Sequence, residues 1–160
     1  MDKVYVGKIV STHGIKGEVR IISSFPYKDK VFVVGNTLLI DDGSYTIRSY
    51  RVHKNFDMVT LNDYVNINEV LFLLKRDVYV SKSSLLLNDG EILDEDLITY
   101  KVLTNEGNEG IIKEIFYASP DNKILRVMFQ KEVLIPFNSP MVEVIDKKKK
   151  EVHVHLIDGM

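Results

Sequence analysis

Apolar and polar residues alternate in short runs along most of this chain, the period of half-buried β-strands. Val4, Val6 and the pair Ile9-Val10 open the first run. EVRIIS (18–23), TLLID (37–41), YTIRSYRVH (45–53) and MVTLND (58–63) follow, with Asp41-Asp42-Gly43 as a turn. In the 45–53 run, Tyr45, Ile47, Ser49 and Arg51 are expected on one face. Strands this short, at close spacing, predict a barrel or sandwich.

One segment departs from period two. In NINEVLFLLKR, Ile67, Val70, Leu71 and Leu74 recur at i, i+3, i+4 and i+7, which predicts one short helix packed on a barrel. Asn66 can cap its start, Glu69 completes a capping box, and Lys75 and Arg76 suit its C-terminal end. DVYVSK (77–82) returns to strand. The breaker Asn88-Asp89-Gly90 and the acidic run from Glu91 to Asp96 then mark a boundary. The expected organisation is a first domain at 1–84, a linker at 85–93 and a second domain at 94–160. In the second, ITYKVLT, GIIKEIFY, ILRVMF, EVLIPF, MVEVID and EVHVHLI are separated by NEGNEG, SPDNK, NSP and KKKK. They predict five or six antiparallel strands, so the fold class is all-β with two small units in tandem.

Composition narrows the function. A hydrophobic fraction of 45% and a charged fraction of 28% describe a globular chain. A net charge of -2 argues against coating nucleic acid by bulk charge, but leaves room for a local basic patch or a basic protein partner. There is no cysteine, hence no disulfide, thiolate metal site or cysteine nucleophile. The start MDKVYVGKIV alternates apolar with charged residues, unlike a signal peptide, and no apolar run approaches the ~18 residues of a membrane span. A cytoplasmic protein without a membrane anchor is expected.

The sharpest local feature is Thr12-His13-Gly14-Ile15-Lys16-Gly17-Glu18-Val19-Arg20. Glycine permits positive φ or close approach of a partner, and His13, Lys16 and Arg20 supply donors. Strand flanks exclude a KH clamp, which sits between helices. The choice is between a hairpin turn that needs two glycines and a loop that grips a partner. Arg51, His53 and Lys54, followed by Phe56, form a second basic-aromatic cluster. Lys147 to Lys150 read as a charged hairpin loop or a phosphate-contacting tip. His153 and His155 share a strand face, but no third ligand accompanies them, so no metal site is assigned. No nucleophile elbow, Walker loop, zinc-protease or dinucleotide motif occurs, and the clustered carboxylates Glu91, Asp94, Glu95 and Asp96 fall in the expected linker region.

Val6-Gly7-Lys8-Ile9-Val10 followed by His13-Gly14-Ile15-Lys16-Gly17-Glu18-Val19-Arg20 resembles the N-terminal signature of the RimM family of ribosome maturation factors. The resemblance continues through Arg51 to Lys54, Asn66 to Val80, Asp96-Leu97-Ile98, Leu134 to Phe137 and Val142 to Asp146, and closes on Gly159-Met160. It implies a six-stranded N-terminal barrel like those of translation factors and a C-terminal PRC barrel. It also implies a non-catalytic assembly chaperone. Such a factor binds the free or immature 30S subunit and a small-subunit head ribosomal protein, assisting 16S rRNA processing. A monomer with no cofactor, metal or small-molecule substrate is expected. The expected binding residues are His13, Gly14, Lys16, Gly17, Arg20, Arg51, Lys54, Ile92, Leu93, Asp96 and Tyr100. Ile92-Leu93 stand where the family usually carries two aromatics, and Thr99 where it has a glycine, so positive φ is not expected there. The alternatives are a PRC-type protein adaptor and a metal-dependent RNA enzyme using His153 and His155.

Overall fold

The computed structural model describes residues 2–157. The Gly159-Met160 close lies outside them. The chain divides between Leu86 and Leu87 into two compact units.

The first unit is a closed six-stranded barrel. Its strands are β1 (Lys3–His13), β2 (Glu18–Ile22), β3 (Thr37–Ile40), β4 (Gly43–His53), β5 (Phe56–Leu61) and β6 (Asp77–Ser81). Around the barrel the order is β1-β2-β5-β4-β3-β6. Closure depends on β1, which pairs with β6 along its first half and with β2 along its second. Register shifts between Tyr5 and Gly7 and between Ile9 and Ser11 coil it from one partner to the other. Gly7 is required at this bend, because a Cβ there would stand 2.7 Å from the Ile22 carbonyl oxygen. Val6, Ile9, Val19, Ile21, Leu38, Ile40, Val59, Leu61, Val78 and Val80 are buried, as period-two alternation requires.

β4 breaks that alternation. A register shift between Ile47 and Ser49 leaves Ile47 buried, Tyr50 half-buried and Ser49 and Arg51 exposed. Tyr45, Ile47, Ser49 and Arg51 therefore do not share one face, since one extra residue reverses every later side chain.

The expected helix at 66–76 is replaced by two 3₁₀ turns, Ile67–Glu69 and Leu71–Leu73. Val70 and Leu73 are buried and Ile67 half-buried, whereas Leu71 and Phe72 are exposed. That spacing of three is the period of a 3₁₀ helix. Asn66 does cap the start, accepting the Asn68 N–H at 2.8 Å, while Glu69 accepts the Val65 N–H at 3.1 Å. Tertiary bonds hold both ends to β1 and its loop, from Ile67 N–H to the Ile15 carbonyl and from Lys75 N–H to the Ile9 carbonyl. The barrel mouth thus dictates the path, and a longer α-helix would break these ties.

The second unit opens on a four-residue helix, α1 (Asp94–Leu97). Its strands are β7 (Lys101–Thr104), β8 (Glu109–Ser119), β9 (Asn122–Met128), β10 (Glu132–Pro136), β11 (Val142–Asp146) and β12 (Glu151–Val154). They form one sheet in the order β10-β9-β8-β7-β12-β11. Pairing is antiparallel except between β12 and β7, which run parallel, a difference from the expected all-antiparallel unit. The last strand returns beside the first, and no local hairpin sets the direction of that pair. The core gathers Leu97, Val102, Leu125, Val127, Ile135, Val152 and Val154. Residues 87–93 belong to this unit rather than to a free linker. Ile92 lies in its core, and Lys147 Nζ donates to the carbonyls of Asn88 and Glu91 at 3.0 and 2.7 Å.

No helix among the described residues is long and apolar enough to cross a membrane.

Candidate functional site

Residues 14–17 join β1 to β2. Gly14 and Gly17 have φ of 69° and 90°, where side chains are disfavoured. A Cβ on Gly17 would also stand 3.3 Å from the Asn66 carbonyl oxygen. The glycines therefore serve a turn, and the same turn raises Lys16 and Ile15 into solvent, Ile15 being 77% exposed. Gly17→Ala is expected to cost about 1–2 kcal/mol by imposing a side chain on left-handed backbone. Urea unfolding checks this, and a loss under about 0.5 kcal/mol, the range of an ordinary surface change, would show that the loop adapts.

Antiparallel pairing brings the two basic clusters of the sequence onto one outer face. Arg20 on β2 and Arg51 on β4 are each aligned with Met58 on β5, which lies between them. Met58 is fully buried although alternation points it outward.

Each cation is held differently. Arg20 donates from Nη1 to the Thr12 carbonyl at 2.9 Å and to Ser11 Oγ at 3.2 Å, and from Nη2 to His13 Nδ1 at 2.6 Å. Arginine is only a donor, so His13 Nδ1 accepts and its proton sits on Nε2. The Arg20 guanidinium also lies 5.8 Å from the Phe56 ring centroid. Arg51 forms a two-pronged pair with Glu18, Nε to Oε2 at 2.9 Å and Nη2 to Oε1 at 2.7 Å. This contact holds the Glu18 carboxyl below its ordinary range against its partial burial. His13 and His53 face each other with ring centroids 5.6 Å apart. Burial, then Arg51, Lys54, His13 and Arg20, hold the His53 pKa below its ordinary value. Lys54 occupies the two-residue turn between β4 and β5 with φ of 50°, followed by Asn55 at 68°. Both are the positive values of a primed hairpin turn, which points Lys54 into solvent.

His13, Arg20, Arg51 and Lys54 thus join His53 and Phe56 around one face, with Lys16 at its loop. Glu18 and Thr60 are the residues that motif reading passed over. Glu18 stands inside the quoted motif, and Thr60 alternates outward on β5, but only strand pairing shows that they border the cluster. His13, Gly14, Ile15, Lys16, Glu18 and Thr60 line a hollow of about 390 Å³.

The expected residues of the second unit are placed otherwise. Ile92, Leu93 and Tyr100 are buried, Ile92 and Tyr100 within the core cluster, yet with Asp96 all three line one hollow of about 150 Å³ that Lys147 and Lys150 also border. Asp96 is half-buried in α1, and Glu95 beside it is exposed. Thr99 has no positive φ. A cleft of about 670 Å³, lined by residues 104–109 and by Phe129 to Lys131, Val133, Leu156 and Ile157, contains none of the expected residues.

The remaining candidates resolve into local structure. Asp146 Oδ1 accepts the N–H groups of Lys148 and Lys149 at 3.1 and 3.0 Å, so the four-lysine run is an Asp-initiated turn. His153 Nε2 lies 3.1 Å from Glu151, and His155 Nδ1 lies 3.9 Å from Glu143. No group of three metal-ligating side chains is assembled among the described residues.

Residues 4–85 match the family model described as the RimM N-terminal domain. The chain is 36% identical to the ribosome maturation factor RimM of Bacillus subtilis, over 97% of this chain and 94% of that one. It is also 36% identical to the factor of the same name from Ligilactobacillus salivarius, over 100% and 99%. The solution structure of the N-terminal domain of RimM from Thermus thermophilus is 17% identical, with a TM-score of 0.48 over 54% of this chain and 98% of that one. On the near full-length identity to those factors and the match across the first barrel, this chain belongs to the RimM family of ribosome maturation factors.

Proposed function

We propose that this protein assists maturation of the small ribosomal subunit by binding, without catalysis or a cofactor, as a monomer in the cytoplasm. The outer face of the first barrel contacts phosphates of immature 16S rRNA. The second unit, through the acidic α1 with Glu95 exposed and Asp96 half-buried, contacts a basic ribosomal protein of the 30S head. The observation that carries the first contact is the convergence of Arg20, Arg51, Lys54, His13 and His53 on one face of a chain whose net charge is -2. In such a chain a local cluster, not bulk charge, must supply phosphate affinity. Binding favours whichever rRNA and protein arrangement it fits best, so affinity difference alone drives maturation. Ile92, Leu93 and Tyr100, which line a hollow with Asp96 beside α1, border this contact.

Lys16→Glu with Arg20→Glu is expected to weaken binding to immature small subunits about tenfold at physiological salt, since phosphate contacts dominate such affinity. Lys16→Glu with Lys54→Glu, both exposed, repeats the test without disturbing the Arg20 hydrogen bonds. Co-sedimentation with immature particles measures both. Undiminished binding by the folded variants would remove this face from the reading.

A further inference from the structure

We propose that the hollow beside the His13 loop receives one unstacked nucleobase of single-stranded or bulged RNA while the surrounding cations hold its flanking phosphates. This rests on the rRNA reading above and adds the form of RNA preferred.

Three observations lead to it. The hollow measures about 390 Å³, near the lower end of the ~300–1,000 Å³ typical of small-ligand sites, room for a single base. Its lining includes the flat His13 ring, the exposed Ile15, Lys16 and Thr60, whose hydroxyl is hydrogen-bonded with Ser49 Oγ at 2.6 Å. It is also preformed. Gly14 and Gly17 hold the loop in left-handed backbone, the Ile15 carbonyl is bonded to Ile67, and Arg20 fixes the His13 ring.

Charge then selects the occupant. Glu18 is the single carboxylate lining the hollow, and Arg51 neutralises it with two hydrogen bonds. Lys16 lines the hollow and Lys54 stands exposed on the same basic face, neither with a carboxylate within ion-pair distance among the described residues, while the Arg20 guanidinium is bonded to Thr12, Ser11 and His13. A ligand that fits must offer a planar apolar face and negative charge on both sides of it. An unpaired nucleotide within a chain has this combination. A duplex hides its base faces in the stack. An apolar side chain from a protein would fill the hollow but leave the cations unanswered.

The test uses fluorescence anisotropy with three RNA hairpins of equal length: fully paired, with a one-nucleotide bulge, and with an abasic site at that bulge. The intact protein is expected to bind the bulged RNA about tenfold tighter than the other two, the size of one base stacking on a protein ring. Thr60→Leu, which adds bulk to the lining, is expected to abolish that preference while keeping affinity for the paired RNA. Equal affinity for bulged and abasic RNA, still lost in Lys16→Glu/Arg20→Glu, would overturn the base site and leave the phosphate reading standing. Binding to no RNA, with immature particles captured through protein alone, would overturn both.

Discussion

Replacing Asp94 by alanine is expected to destabilise the second unit by about 3 kcal/mol, because it strands a buried cation. Asp94 accepts from Lys123 Nζ at 2.8 Å and from the Tyr117 hydroxyl at 2.6 Å. The two ends of this pair differ sharply in exposure: the Lys123 side chain is 6% exposed and that of Asp94 37%. Removing the aspartate therefore leaves a largely buried ammonium without its anion, resting over the Phe137 ring at 4.2 Å and reached by water only through the space the carboxylate vacates. A cation–π contact of this kind contributes about 2 kcal/mol when desolvated and offsets only part of that loss. Lys123→Met removes the charge but keeps most of the volume, so it should cost clearly less than Asp94→Ala. Urea unfolding of both variants measures the difference. If Lys123→Met proved the more damaging, the lysine would be acting through its packing and the account of a stranded charge would fail. The same bonds tie α1 to the β8–β9 hairpin, so amide exchange in residues 94–97 should accelerate in the aspartate variant.

In the first unit the asymmetry is reversed, and the vulnerable charge is negative. Asp57 points into the barrel opposite Ile21 and is 1% exposed. It accepts the Tyr50 hydroxyl at 2.6 Å, and Lys28 Nζ stands 2.8 Å from its second oxygen as an ion pair, off the direction of a hydrogen bond. Lys28→Met is expected to cost about 3 kcal/mol, because the buried carboxylate loses its one cation among the described residues. Adding Asp57→Asn to it should recover much of that loss, since a neutral amide is cheaper to bury than an unpaired charge. A Lys28→Met loss under about 0.5 kcal/mol would show that solvent screens the pair.

The tyrosine in this cluster provides a pH signature. Burial, then its bond to Asp57, hold the Tyr50 hydroxyl well above its ordinary pKa of 10.0. A group with a raised folded-state pKa contributes stability that is complete below its unfolded value. Stability should therefore fall progressively as pH rises above 10.0, and Tyr50→Phe should flatten that decline.

These two clusters were invisible in the chain pattern. Asp57 carried no signal in the sequence, and Asp94 read as one of a run of acidic residues. Each gains its role from a lysine 29 positions away, in both cases across a turn of structure that only folding creates.

The His13 to Arg20 motif shows the opposite balance. Its glycines declared a tight turn, and its donors declared a candidate face, without any coordinates. The capping residues of 66–76 were equally plain, and Asn66 and Glu69 do cap. What failed there was the period, because residues 67, 70 and 73 follow the barrel mouth rather than a free helix.

Alternation of side chains, turn residues and the absence of thiols are properties of neighbouring positions, and they sufficed for an all-β chain, its two-unit organisation and its first basic loop. Pairing partners, the parallel β12–β7 ladder, the bulge in β4 and the burial of Ile92 and Leu93 depend on contacts between residues far apart in the chain. The energy of those contacts is shared across a whole sheet or core, so no local run of residues encodes it, and the site assembled from β1, β2, β4 and β5 exists only once the barrel has closed.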